Sequence, residues 1–176
     1  MKTTKVQYVI IDSNNVSSTM SKNNFSVNML SNLVGSSTTA TDLNNVIGFK
    51  IVDAFFGGIG TSGPDAGSPD YIDITCEDLP PIAQLAIVNG KSIPVVLARI
   101  PLERSLSGSN DLVIYDKQWK PWPRHNVYFN PLNLEKLSFK IYERLSDGTY
   151  QLMDFTGGAP SRSYYFTIEL TSIVEG

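Results

Sequence analysis

Leu137, Phe139 and Ile141 alternate with Ser138, Lys140 and Tyr142, and Phe166, Ile168 and Leu170 alternate in the same way with Thr167, Glu169 and Thr171. A period of two sends successive side chains to opposite faces, so both stretches predict half-buried β-strands. Between them, Asp147-Gly148 forms a turn pair whose glycine can take the positive φ that hairpin turns need. The same alternation predicts strands over 6–11, 25–30, 46–56, 71–76, 93–100, 112–115, 127–129, 137–143 and 164–173. Helical periodicity is almost absent, and ten prolines and thirteen glycines punctuate the chain. The pattern predicts an all-β protein, a single jelly-roll sandwich of about eight antiparallel strands.

Polar loops are expected over 13–24, 31–42, 57–69, 102–110 and 157–163. Read as a linker, the Ser/Thr-rich stretch 36–41 would cut off about forty residues, too few for a core of their own. One domain over 1–176 is therefore expected, with residues 1–42 supplying an N-terminal strand and an extended arm. A chain of 176 residues can bury a sizeable core without staples.

Charge narrows the function classes. With 14 Lys+Arg against 17 Asp+Glu, a net charge of -3 and no basic run, binding to nucleic acid through a charged face is disfavoured. The single cysteine, Cys76, rules out an internal disulfide and a multi-thiolate metal site, and fits a reducing compartment. After Met1-Lys2-Thr3-Thr4-Lys5 the apolar run Val9-Ile10-Ile11 stops at Asp12, too short for a signal-peptide core. No stretch reaches the length of a membrane helix. A soluble protein without a cleaved signal is the expectation.

Candidate chemistry is sparse. Gly58-Ile59-Gly60-Thr61-Ser62-Gly63 matches the dinucleotide fingerprint by letter, with Asp78 downstream. The match is rejected, because those glycines must open a helix and here Pro64, Gly67 and Pro69 follow. His125 is the lone histidine, so sites with several histidine ligands are excluded, and no glycine-flanked nucleophile accompanies it. No enzyme activity and no cofactor are expected. Asp70, Asp73, Glu77 and Asp78 could pair as carboxylates for glycoside hydrolysis or hold calcium. Alternation places Asp73 and Glu77 with Tyr71 and Thr75, opposite Ile72, Ile74 and Cys76, on a face expected to be solvated. The sequons at Asn15 and Asn24 would matter only in a secreted chain. Trp119 and Trp122 stand in a proline-rigid loop with Arg124 and His125. Capping the barrel end, contacting another subunit and stacking on sugar are all open to them.

In chain order, several segments resemble the small single jelly-roll capsid proteins of large eukaryotic double-stranded DNA viruses, especially their penton proteins. These segments are Tyr8-Val9-Ile10-Ile11-Asp12-Ser13, Asn24-Phe25-Ser26-Val27-Asn28 and Leu43-Asn44-Asn45-Val46-Ile47-Gly48-Phe49-Lys50-Ile51. They continue with Tyr71-Ile72-Asp73-Ile74, Val96-Leu97-Ala98-Arg99-Ile100-Pro101-Leu102 and Phe129-Asn130-Pro131-Leu132. The last are 134–142, Asp147-Gly148 and Phe166-Thr167-Ile168-Glu169-Leu170. Asn14 and Asn15 stand where the family's opening strand often runs into arginines. The resemblance implies a structural virion protein, five copies forming a homopentamer at each icosahedral vertex beside major and minor capsid proteins. It leaves open a minor capsid or cement role in the same shell. From another class, a carbohydrate-binding jelly-roll module using Trp119 or Trp122 is the alternative.

Overall fold

The computed structural model describes residues 2–28, 43–57, 69–80, 86–88, 91–93, 96–102, 127–155 and 162–175. Along these residues the chain forms β1 (Lys2–Asp12), β2 (Asn24–Asn28), β3 (Val46–Gly57), β4 (Pro69–Cys76), β5 (Ala86–Val88) and β6 (Lys91–Ile93). There follow β7 (Val96–Pro101), β8 (Val127–Leu132), β9 (Lys136–Leu145), β10 (Tyr150–Leu152) and β11 (Ser163–Glu175). No helix occurs among the described residues.

Two antiparallel sheets carry the architecture. The first has the order β1-β11-β3-β8; the second has β10-β9-β4-β7, with β2 also on β9. β2 pairs with residues 136–140 of β9 and β10 with residues 142–144, so the two short strands lie end to end along one side of β9. The changeover is stitched at Ile141, whose amide donates to the Asn23 carbonyl while its own carbonyl accepts from Met153. Asn23 Nδ2 closes the seam by donating to the Met153 carbonyl at 2.8 Å. β5 and β6 form a separate hairpin.

The apolar alternation builds one core between the sheets. Leu137, Phe139 and Ile141 from the second sheet and Phe166, Ile168 and Leu170 from the first are fully buried, as their spacing predicts. Phe139 meets Phe166 edge to face across the interior, with ring centroids 5.4 Å apart. Tyr164 anchors one end of this core among Phe25, Phe56, Phe155 and Phe166. Its hydroxyl donates to the Lys22 carbonyl at 2.6 Å, and its backbone pairs with Ser13. One tyrosine thereby fixes both ends of the β1–β2 connection.

Several boundaries differ from expectation for local reasons. Of the strand expected over 93–100, residue 93 ends β6 and residues 96–100 lie in β7, while residues 94 and 95 lie outside the described residues. β8 runs on through Pro131, which is tolerated because β8 ends its sheet. The Asp147-Gly148 turn forms as expected: Gly148 has φ 92 and donates to the Leu145 carbonyl at 2.9 Å, while Asp147 Oδ1 accepts from the Thr149 amide. What it opens is the three-residue β10, and β11 belongs to the other sheet. Asn45, with φ 54, takes the left-handed conformation that asparagine tolerates, and its amide donates to Asn133 Oδ1. The strand expected over 112–115 lies outside the described residues.

Candidate functional site

The densest polar chemistry among the described residues lies on the outer face of the second sheet. β4 is a central strand there, flanked by β9 and β7. Its inward residues Ile72, Ile74 and Cys76 are buried in the core, as alternation requires. Its outward residues were expected to be solvated; Glu77 is exposed, but the expectation is corrected at Asp73, which is 0% exposed, and at Thr75, which is buried too. A central strand is overlaid from both sides by long side chains of its neighbours.

Arg99, the register partner of Asp73 on β7, sends Nε to Oδ1 and Nη2 to Oδ2, each at 2.8 Å. This is a bidentate fork, the strongest common geometry for a carboxylate. Tyr150 reaches over from β10 to donate its hydroxyl to Asp73 Oδ2 at 3.0 Å, its ring stacked on Tyr142 at 5.2 Å. The Arg99 guanidinium also covers the Tyr71 ring, 4.0 Å from its centroid. Arg144 pairs with Asp70 at 2.6 Å on the flank of the cluster. Burial, followed by the Asp73 charge, pushes the Tyr150 phenol well above its ordinary value, so it stays a donor. Burial likewise raises Tyr71, against the opposing pull of Arg99.

The other acidic residues named from sequence are dispersed into structural roles. Glu77 pairs with Lys140, and Asp78 accepts the Ser138 amide, so neither joins Asp73 in a cleft. A carboxylate that alternation did not single out, Glu143, is buried at the end of β9 on the core side. It accepts from Arg162 Nη1 at 2.9 Å, from Gln151 and from the Asp154 amide, tying the β10–β11 connection to the sheet. Desolvation pushes the Cys76 thiol up to about 12, which leaves it an unreactive thiol at neutral pH.

Among the described residues there is no group of three or more metal-ligating side chains. Nor does a helix among them have the length and apolarity to cross a membrane. Trp119, Trp122, Arg124 and His125 lie outside the described residues, as does the Gly58–Gly63 match; the chain re-enters as a strand at Pro69. No family model matches this chain, and comparisons with curated proteins and with solved structures return no match. What the cluster offers is a surface of tyrosine rings and neutralised arginines. Tyrosine and arginine are enriched at the energetic centres of protein contacts.

Proposed function

We propose that this chain is a non-enzymatic structural subunit of a virion, a single jelly-roll penton protein that assembles as a homopentamer at fivefold vertices. The observation that carries this reading is the nesting of its strand pairs. Set aside the short strands β5, β6 and β10, and take the other eight in chain order. The first then pairs with the eighth, the second with the seventh, the third with the sixth and the fourth with the fifth. That is one long antiparallel hairpin. Rolling it up brings eighth beside third and seventh beside fourth, as in β11 with β3 and β9 with β4. Two interlocked Greek keys of this kind make the jelly roll of viral capsid and lectin domains.

Within that fold, the ordered resemblance of the strands to penton proteins favours the capsid over the lectin. The surface chemistry is compatible, since arginines locked in ion pairs beside tyrosines suit a packed contact better than a catalytic cleft. A ring of five uses a heterologous contact that closes on itself. Imaging of the purified chain should give five-membered rings, and the chain should occupy the vertices of its particle. A strictly monomeric chain missing from vertices would sink the reading, and a position beneath the shell would make it a minor capsid protein.

A further inference from the structure

Among the described residues β1 is an edge strand with little to protect it. It pairs with β11 along its whole length, from Lys2 opposite Glu175 to Asp12 opposite Tyr165, without a register shift. Among the described residues no strand lies on its other side. Soluble proteins usually blunt such an edge with proline, a bulge or brevity. β1 is eleven residues long, contains no proline or glycine, and exposes Val6, Tyr8 and Ile10 at 47%, 62% and 73%.

Hydrogen-bonding phase identifies which backbone groups are free. Ser13 donates its amide to the Tyr164 carbonyl at 2.9 Å, and antiparallel bonding alternates along a strand. Ile11, Val9 and Gln7 therefore bond toward β11. Thr4, Val6, Tyr8 and Ile10 direct their N–H and C=O groups to the open side. Three of these four residues, Val6, Tyr8 and Ile10, are also the ones that expose large hydrophobic side chains.

We infer that β1 pairs antiparallel with β1 of a second copy of this chain, about a two-fold axis at Gln7, joining the first sheets of the two copies into one. Three observations select this partner and register. First, charge is self-complementary: the strand begins at Lys2 and ends at Asp12, and centring on Gln7 sets Lys2 of each copy opposite Asp12 of the other. Second, the same register puts Val6 opposite Tyr8 and Thr4 opposite Ile10 of the second copy. All have open backbone groups, and the exposed Val6, Tyr8 and Ile10 side chains each gain a cross-strand neighbour.

Third, the axis falls on a side chain with an unsatisfied acceptor. Gln7 is 9% exposed and points between the sheets, and among the described residues its buried Oε1 has no hydrogen bond. At the axis the two Gln7 residues form a non-hydrogen-bonded pair with Cα atoms about 4.5 Å apart. A carboxamide complements itself, so Nε2 of each can donate to Oε1 of the other. Centring on Val6 or Tyr8 would keep the bonding phase but leave one charged end unmatched and the two amides apart.

This contact is independent of the fivefold reading, because an isologous pairing closes at two copies and cannot build a ring. Sedimentation velocity and native mass measurement of the full chain over a concentration series test it. The expected result is a concentration-dependent species of two copies, or of two rings. Tyr8→Pro removes an amide from the open side and keeps the backbone bonds to β11, while giving up the side-chain hydrogen bond of Tyr8 to Glu169, so it should weaken this association by at least about tenfold and lower the melting temperature only slightly. Gln7→Cys should form an interchain disulfide on mild oxidation, and Val6→Cys should not. A wild-type chain that never doubles, or doubling untouched by Tyr8→Pro, overturns the proposal. So does a Gln7→Cys protein that stays unlinked, a readout that holds even where Tyr8→Pro does not fold. Rings of five that do not double support the penton reading and refute the β1 pairing.

Discussion

Asp73 and Arg99 face each other across the β4–β7 ladder, both carboxylate oxygens taken by one guanidinium at 2.8 Å, on the face of the sheet that points away from the core. The acid is fully buried while the side chain of its partner remains 39% exposed. The pair therefore divides its labour: Arg99 is the lid, and Asp73 is the charge it covers.

Removing the lid should cost far more than an ordinary surface ion pair. Arg99→Ala leaves a buried carboxylate with the Tyr150 hydroxyl as its remaining side-chain donor, and losing one member of a buried pair costs about 3 kcal/mol or more. Replacing both, as Asp73→Val with Arg99→Leu, should recover most of that loss because no charge is stranded. Urea unfolding of the two variants checks this. A cost below about 1 kcal/mol for Arg99→Ala would mean that the carboxylate is solvated.

The strands themselves were largely legible. Alternation in β9 and β11 located the inward residues, and β1, β3 and β4 fall within a few residues of their expected ranges. The three-residue strands β5 and β10 were missed, and β6 was met only at Ile93, because three residues carry too little periodicity to register. The outer cluster was misjudged for a different reason. Alternation states which face Asp73 occupies, but its burial depends on Arg99 and Tyr150, residues 26 and 77 positions away that only the strand register brings beside it. Glu143 continues the inward series of Leu137, Phe139 and Ile141, but nothing near it in sequence announces that Arg162 will cover it.

Gly148 is constrained by backbone and not by space. A Cβ there would meet nothing closer than Arg144 Nη2 at 4.0 Å, yet φ 92 is a conformation that side chains with a Cβ rarely adopt. Gly148→Ala should therefore destabilise by about 1–2 kcal/mol. Gly148→Asn should cost less, because asparagine accepts positive φ more readily. Thermal melts of the two variants give the order; equal losses would point to crowding instead of conformation.

Cys76 should behave as a core atom. Its side chain is fully buried and its thiol is pushed up to about 12 by desolvation. At pH 8 a disulfide reagent should leave the folded chain unlabelled, and labelling should become complete in denaturant. Rapid labelling of the native protein would show that the β4 end of the core opens.

Alkaline pH should unfold this protein earlier than its net charge suggests. Burial raises the phenols of Tyr150 and Tyr164 well above their ordinary value of 10.0, the first reinforced by the Asp73 charge and the second by Asp12. In the unfolded chain both would ionise near pH 10, while in the folded chain they stay protonated. A folded-state pKa above the unfolded one stabilises fully below pH 10, and that contribution is lost as pH rises further, because ionisation then pulls the equilibrium toward the unfolded chain. Stability measured by urea unfolding should be flat with respect to these groups up to about pH 9 and fall steadily beyond pH 10. Tyr164→Phe should start about 1 kcal/mol lower through loss of the bond to the Lys22 carbonyl, and should fall less steeply. An equal alkaline slope in Tyr164→Phe would show that this phenol ionises as freely in the folded chain as in the unfolded one.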